Sequence, residues 1–240
     1  MSIDRLLTGP AAVGLSCCLL AGSASAQGGA PAPNTLTSAE KKAGWRLLFD
    51  GSTTGGWKSY TRPGMPEGWK VVDGALTRVS PGGDIVTVDT FRNFEFSLEW
   101  QVLPGGNSGI FYRAADGAKA IYWSAPEMQV LDDARHVDGK STWTSAGSAY
   151  GLYPVPRGVV KPAGEWNRVR LVINGNHVEH WLNDVKVVEY QLGSAEWSER
   201  VAGSKFAAWP EFGKAAEGRI GLQDHGDRVA YRSIKIRVLP

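Results

Sequence analysis

The chain has 240 residues, with 26 Lys and Arg against 24 Asp and Glu and a formal charge of +2. No basic block interleaves with aromatics, so nucleic acid is excluded as a partner. The two cysteines, Cys17 and Cys18, lie in the first 20 residues, which excludes a cysteine nucleophile or a thiolate metal site in the rest of the chain. Arg5, the apolar run from Pro10 to Leu20 and the small residues Ala24-Ser25-Ala26 have the layout of a secretory signal peptide. Residues 1–26 are therefore expected to be removed near Ala26 and the mature chain to be periplasmic or secreted. The apolar run is short of the roughly 20 residues a membrane span needs. An anchor through Cys17 or Cys18 fits less well, because very little apolar sequence precedes them. Without disulfides, the exported chain has to be held by its core.

Residues 27–42, rich in Gly, Pro and small polar residues, read as a flexible lead-in, with Ser38 placed to cap one helical turn. From residue 43 to 240 the texture is that of a single all-β domain: short apolar runs punctuated by Gly, Pro, Asn and Asp. Trp69-Lys70-Val71-Val72 turns at Asp73-Gly74 into Ala75-Leu76-Thr77-Arg78, a hairpin signal. Strands are also expected at 46–49, 85–88 and 94–102. In the last of these, Phe94, Phe96, Leu98 and Trp100 alternate with Glu95, Ser97, Glu99 and Gln101, giving one packed and one wet face. Further strands are expected at 109–113, 127–131, 166–173, 177–182, 185–190, 220–223 and 231–238. Residues 132–162 form a long connection carrying Trp143, Tyr150, Tyr153 and Pro154, expected to be an ordered wall over a pocket. Residues 194–217 read as an irregular or partly helical insert with Trp197, Phe206, Trp209 and Phe212.

Candidate chemistry concentrates on two stretches. In Glu127-Met128-Gln129-Val130, alternation sends Met128 and Val130 to the core and presents a carboxylate and a carboxamide together. In Gln223-Asp224-His225, Gln223 and His225 share a face. A retaining glycosidase needs two carboxyl groups about 5–5.5 Å apart. The residue two places on from Glu127 is an amide, which can neither attack nor transfer a proton. The residues offer instead a mixed set: Asn107, Arg113, Glu127, Gln129, Asp132, Asp133, His136, Gln223, Asp224 and His225. A carboxylate with an imidazole could serve as general base and acid, or the same groups, Glu127 and His225 foremost, could hold a divalent metal ion. His180, sharing a face with Val178 and Leu182, reads as a core histidine, and Arg113 as equally a structural arginine.

The chain resembles the bacterial 3-keto-disaccharide hydrolase family, long known only as a domain of unknown function. The resemblance is carried by Gly44-Trp45-Arg46-Leu47-Leu48-Phe49-Asp50-Gly51, Gly106-Asn107-Ser108-Gly109-Ile110-Phe111-Tyr112-Arg113, Glu127-Met128-Gln129-Val130-Leu131-Asp132 and Ile220-Gly221-Leu222-Gln223-Asp224-His225-Gly226, within residues 44–238. It implies a concanavalin A-like jelly roll of two antiparallel sheets, with an oligosaccharide or glycoside bound on the concave face. It also implies substrates oxidised at C3 of a hexose. A C3 ketone acidifies the C2 hydrogen, so a base can form an enolate and expel the C1 substituent before water adds back. That route needs no pair of carboxylates. Base or metal contact is then expected of Glu127 and His225, acid or ligand roles of Asp132 and His136, and substrate contact of Asn107, Arg113, Gln129, Tyr153, Gln223 and Asp224. A non-catalytic carbohydrate-binding module, a conventional glycosidase and an envelope structural domain are the rivals.

Overall fold

The computed structural model describes Met1 and residues 31–240; the expected leader, its cleavage position and both cysteines lie outside these residues. Residues 31–240 form one compact unit. Two antiparallel sheets make a β-sandwich, the jelly roll expected. Strands β1 (Arg46–Leu47), β2 (Trp57–Ser59), β3 (Trp69–Val72), β4 (Ala75–Arg78), β5 (Ile85–Thr87), β6 (Phe94–Val102) and β7 (Asn107–Ala114) come first. They are followed by β8 (Glu127–Leu131), β9 (Asn167–Asn174), β10 (His177–Leu182), β11 (Val185–Gln191), β12 (Arg219–Leu222) and β13 (Val229–Val238). The larger sheet runs β11-β10-β9-β6-β13-β4-β3, with β1 also paired to β13; the smaller runs β2-β5-β12-β7-β8.

The alternation in β6 becomes the floor of the core. Phe94, Phe96, Leu98 and Trp100 are at most 1 % exposed, and truncating one of these phenylalanines to Ala is expected to cost about 3–5 kcal/mol. On the other face, Glu95 pairs with Arg170 and Arg237, and Glu99 with Arg232, while Ser97 is buried and donates to the Val169 carbonyl. The Asp73-Gly74 turn joins β3 to β4 as read, both residues having positive φ, 50° and 72°. β2 went unread because Trp57-Lys58-Ser59 is too short to show a period.

The lead-in is tied to the sandwich from Asn34 onward. The Asn34 carboxamide accepts from the Ser233 N–H and donates to the Gly74 carbonyl. A helix α1 (Ser38–Lys42) follows, its capping box formed by Thr37 and Glu40 rather than by Ser38. A second helix, α2 (Ala195–Ala202), and a 3-10 turn over Lys205–Ala208 build the 194–217 insert. No helix among the described residues is long and apolar enough to cross a membrane.

Candidate active site

The smaller sheet has one face in the main core, through Ile110, Tyr112, Met128, Val130, Ile220 and Leu222. Its other face carries the chemistry. β7 and β8 pair with Gly109 opposite Gln129 and Phe111 opposite Glu127, which sets Asn107, Glu127 and Gln129 on that outer face. β12 ends at Leu222, yet the Gln223 N–H still donates to the Gly109 carbonyl at 3.0 Å. Gln223 and His225 therefore project beside β7, as their alternation implied. Under them, the Ser108 hydroxyl donates to the Gln223 carbonyl and meets the Tyr231 hydroxyl at 2.7 Å, fastening β7 to the loop.

Asn107, Glu127, Gln129, Gln223 and His225 line one pocket of about 400 Å³, together with Tyr122, Tyr150, Lys205, Phe206 and Trp209. Five residues singled out in the sequence, from Asn107 to His225, are thus brought together. Glu127 is the one carboxyl and Lys205 the one Lys or Arg among the lining residues. The Glu127 carboxyl rests over Gly109, where a Cβ would come within 2.0 Å of Oε1. No side chain larger than glycine is compatible with this carboxyl position. The carboxyl has no hydrogen-bond partner among the described residues, and burial pushes its pKa up to about 8 against the opposing pull of Lys205. Lys205 stands 4.5 Å from the centroid of the Tyr150 ring. The Tyr150 hydroxyl donates to Asp138 at 3.1 Å. Gln129 Oε1 accepts from the Val130 N–H, leaving its NH₂ group for a ligand. Buried oxygens of Asn107 and Gln223 have no partner in the fold, and both side chains line the pocket.

Other expected site residues go elsewhere. Asp224 alternates away from its neighbours into a buried pair with Arg78 at 2.7 Å and accepts from the N–H groups of Gly82, Gly83 and Gly226. Burial works to raise its pKa, but these donors and the Arg78 charge hold it below the usual carboxylate value. It clamps the loop and is not among the residues lining the pocket. Asp132 accepts from Gly105 N–H at 2.7 Å and from Ala134 N–H, closing the turn into β7, and it does not line the pocket. Arg113, at φ 53° in the bulge where β7 slips against β12, donates to the carbonyls of Arg92 and Gly175 and lines a different cavity. Tyr153 stacks on Tyr190 at 4.6 Å inside an aromatic column, outside the pocket. His136 stands one layer behind. Its Nδ1 accepts from the Asp138 N–H, so the neutral ring carries its proton on Nε2, 3.4 Å from the Asn107 amide. With the amide turned to present Oδ1, His136 satisfies that orphaned oxygen and orients Asn107. Its ring lies 6.3 Å from that of His225.

His180 is the buried core histidine expected: Nδ1 donates to the Gly147 carbonyl, Nε2 faces the Tyr112 hydroxyl, and burial lowers its pKa to about 4. Glu127 and His225 do not converge with a third carboxylate or imidazole as metal ligands. Among the described residues the one such cluster is His177, Glu179 and Glu189 on the far sheet, where Lys186 pairs with both glutamates.

The long 132–162 connection is ordered along the free edge of β8. Gly147 and Tyr150 donate to the carbonyls of Gln129 and Glu127, and Gln129 donates to the Ser148 carbonyl. Of its aromatics only Tyr150 reaches the pocket. Lys205, Phe206 and Trp209 were not read as site residues; the density of aromatics between Trp197 and Phe212 around Lys205 was the available signal. Nothing local in the sequence marks Gly109 as the seat of a carboxyl.

Residues 44–237 match the 3-keto-alpha-glucoside-1,2-lyase-like domain family. A 3-keto-disaccharide hydrolase from Bacteroides thetaiotaomicron is 37 % identical over 228 residues, covering 82 % of this chain and 79 % of that protein. The crystal structure of a candidate glycosyl hydrolase from Parabacteroides distasonis superposes with a TM-score of 0.81 at 35 % identity, covering 87 % of this chain and all of that one. A second from the same organism superposes at 0.65 and 30 % identity, over 81 % of this chain and 99 % of that one.

Proposed function

The chain belongs to the 3-keto-alpha-glucoside-1,2-lyase-like family and is a carbohydrate hydrolase; from that premise we propose that it cleaves 3-keto-glycosides, 3-keto-disaccharides among them, by elimination and hydration. The observation that carries this reading is the solitary carboxyl. A conventional glycosidase needs two carboxyl groups across the glycosidic bond, and Glu127 has no second carboxyl among the residues lining its pocket. It suits instead a reaction with one base. Ionised Glu127 takes the proton from C2, made acidic by the C3 ketone. The C–H electron pair becomes the C2–C3 double bond of an enolate, and its oxygen is stabilised by Lys205, the cation of the pocket. The enolate then collapses back to the C3 ketone as C2–C1 becomes double and the C1–O bond breaks, with His225 placed to protonate the departing oxygen. Water adds at C1 and a proton returns to C2, so the net change is hydrolysis. The amides of Asn107, Gln129 and Gln223 hold the ring hydroxyls. A divalent metal ion would find one carboxylate, the His225 imidazole and the amide oxygens of Asn107, Gln129 and Gln223 here, with no second carboxylate among the lining residues. The leader layout of residues 1–26 supports export to the periplasm or medium as part of the same proposal.

The test is turnover of a 3-keto-glucoside and of the same glucoside unoxidised, in deuterated water. Expected is release of aglycone from the oxidised substrate alone, with one solvent deuterium at C2 of the sugar product. Hydrolysis without label at C2, or equal cleavage of the unoxidised glucoside, would sink the elimination route.

A further inference from the structure

Next to the catalytic pocket lies a larger cavity of about 580 Å³ that shares only Phe206 and Trp209 with it. Its volume is in the range of about 300–1,000 Å³ typical of small-molecule sites. α2 and the segment after it supply most of the lining, including Trp197, Ala202, Trp209 and Phe212. Trp197 and Phe212 stack at 5.8 Å with an interplanar angle of 3°, and each is also stacked on a further ring, Trp197 on Tyr190 and Phe212 on Phe206, so this wall is a packed aromatic column.

In this apolar cavity one buried charge stands out. Arg113 is 3 % exposed and lines the cavity. Its Nε and Nη2 donate to the Arg92 carbonyl, and Nη2 also to that of Gly175. Its Nη1 has no partner among the described residues, and no carboxylate pairs with the guanidinium. Arg92, the charged neighbour acting on it most, is itself positive. Two carbonyls account for the backbone-tying role of this arginine but leave the guanidinium without a carboxylate, and an anion in the cavity would supply one. Lys214 in the lining adds a second positive side chain.

We propose that this cavity is a binding site for an aromatic carboxylate, its ring against Trp197, Trp209 and Phe212 and its carboxylate on Arg113 Nη1. The site stands on the cavity alone and does not depend on the reaction assigned to its neighbour.

The test uses the whole protein and benzoate, followed by quenching of tryptophan fluorescence and by ligand-observed NMR, with benzamide as the neutral isostere. Benzoate is expected to bind saturably and benzamide about tenfold or more weakly, the loss of a charge-assisted hydrogen bond. Ala202→Phe, a change at an exposed residue of α2 that lines the cavity, is expected to abolish benzoate binding, while Glu127→Gln retains it. Arg113→Met is expected to remove the preference for benzoate over benzamide. Because Arg113 also ties two backbone carbonyls, Ala202→Phe decides the matter if that variant does not fold. Equal affinity for benzoate and benzamide, benzoate binding undisturbed by Ala202→Phe, or displacement of benzoate by equimolar chloride would each overturn the proposal.

Discussion

The polar pocket has two walls built on different terms. One is strand-borne: Asn107, Glu127 and Gln129 stand on β7 and β8, with Gln223 just past β12, and every position is set by ladder register. The other is insert-borne: Tyr150, Lys205, Phe206 and Trp209 come from two long connections and are placed by stacking, a 3-10 turn and loop hydrogen bonds. The strand wall is polar and carries the one carboxyl, the acid–base group of the proposed reaction; the insert wall is aromatic and carries the cation. Sheet register holds a reacting group to within the small tolerance that proton transfer needs, whereas a binding wall tolerates looser support.

Substitutions should therefore divide by wall. Glu127→Gln is expected to lower kcat on a 3-keto-glycoside by about 10²–10⁴-fold with KM little changed, measured by aglycone release. Gly109→Ala, far milder as chemistry, should lower kcat by up to about 10²-fold, because its Cβ displaces the carboxyl it would otherwise touch at 2.0 Å. If Gly109→Ala keeps full turnover, the strand wall is not holding Glu127 where proton transfer needs it. Lys205→Met should cost roughly 10-fold or more in kcat. Trp209→Ala should mainly raise KM by a few-fold, the signature of lost binding common to ground and transition states. A kcat loss there as large as that of Glu127→Gln would erase the distinction between the walls.

The acid–base role also fixes the sign of the pH dependence. In the proposed role Glu127 works ionised, and burial raises its pKa to about 8, so kcat/KM of the free enzyme should climb as pH rises toward about 8, and this limb should vanish in Glu127→Gln. Stability moves the other way. Between pH 4.5 and about 8, native Glu127 keeps a proton that the unfolded chain releases, so this residue's contribution falls as pH rises through the window. Thermal unfolding should accordingly show Glu127→Gln gaining on the wild type from pH 5 to pH 8, by up to about 3 kcal/mol.

Period-two alternation made most of the fold legible, because a strand with one buried face writes that face into every second residue. Phe94 to Trp100 and Glu127 to Leu131 are strands over the residues expected. The same rule assembled Glu127 with Gln129 and Gln223 with His225, and sent Asp224 the opposite way, to Arg78. It failed where no period exists. Asp132 and His136 look like chemistry in one dimension, but their polar atoms are consumed by turn N–H groups and by Asn107. Tyr153 and Arg113 are equally ambiguous until their neighbours are known.

What the sequence determined by itself is the sandwich, the outward face of Glu127-Met128-Gln129 and the absence of a second carboxyl beside it, since alternation and local composition are properties of neighbouring residues. The tertiary structure alone decided that Gly109 makes room for the Glu127 carboxyl, that Lys205 is the pocket's cation, and that Arg113 faces a separate cavity. These depend on approaches between residues 18 to about a hundred positions apart, and a chain encodes such contacts only through the packing of the whole, with no local period to announce them.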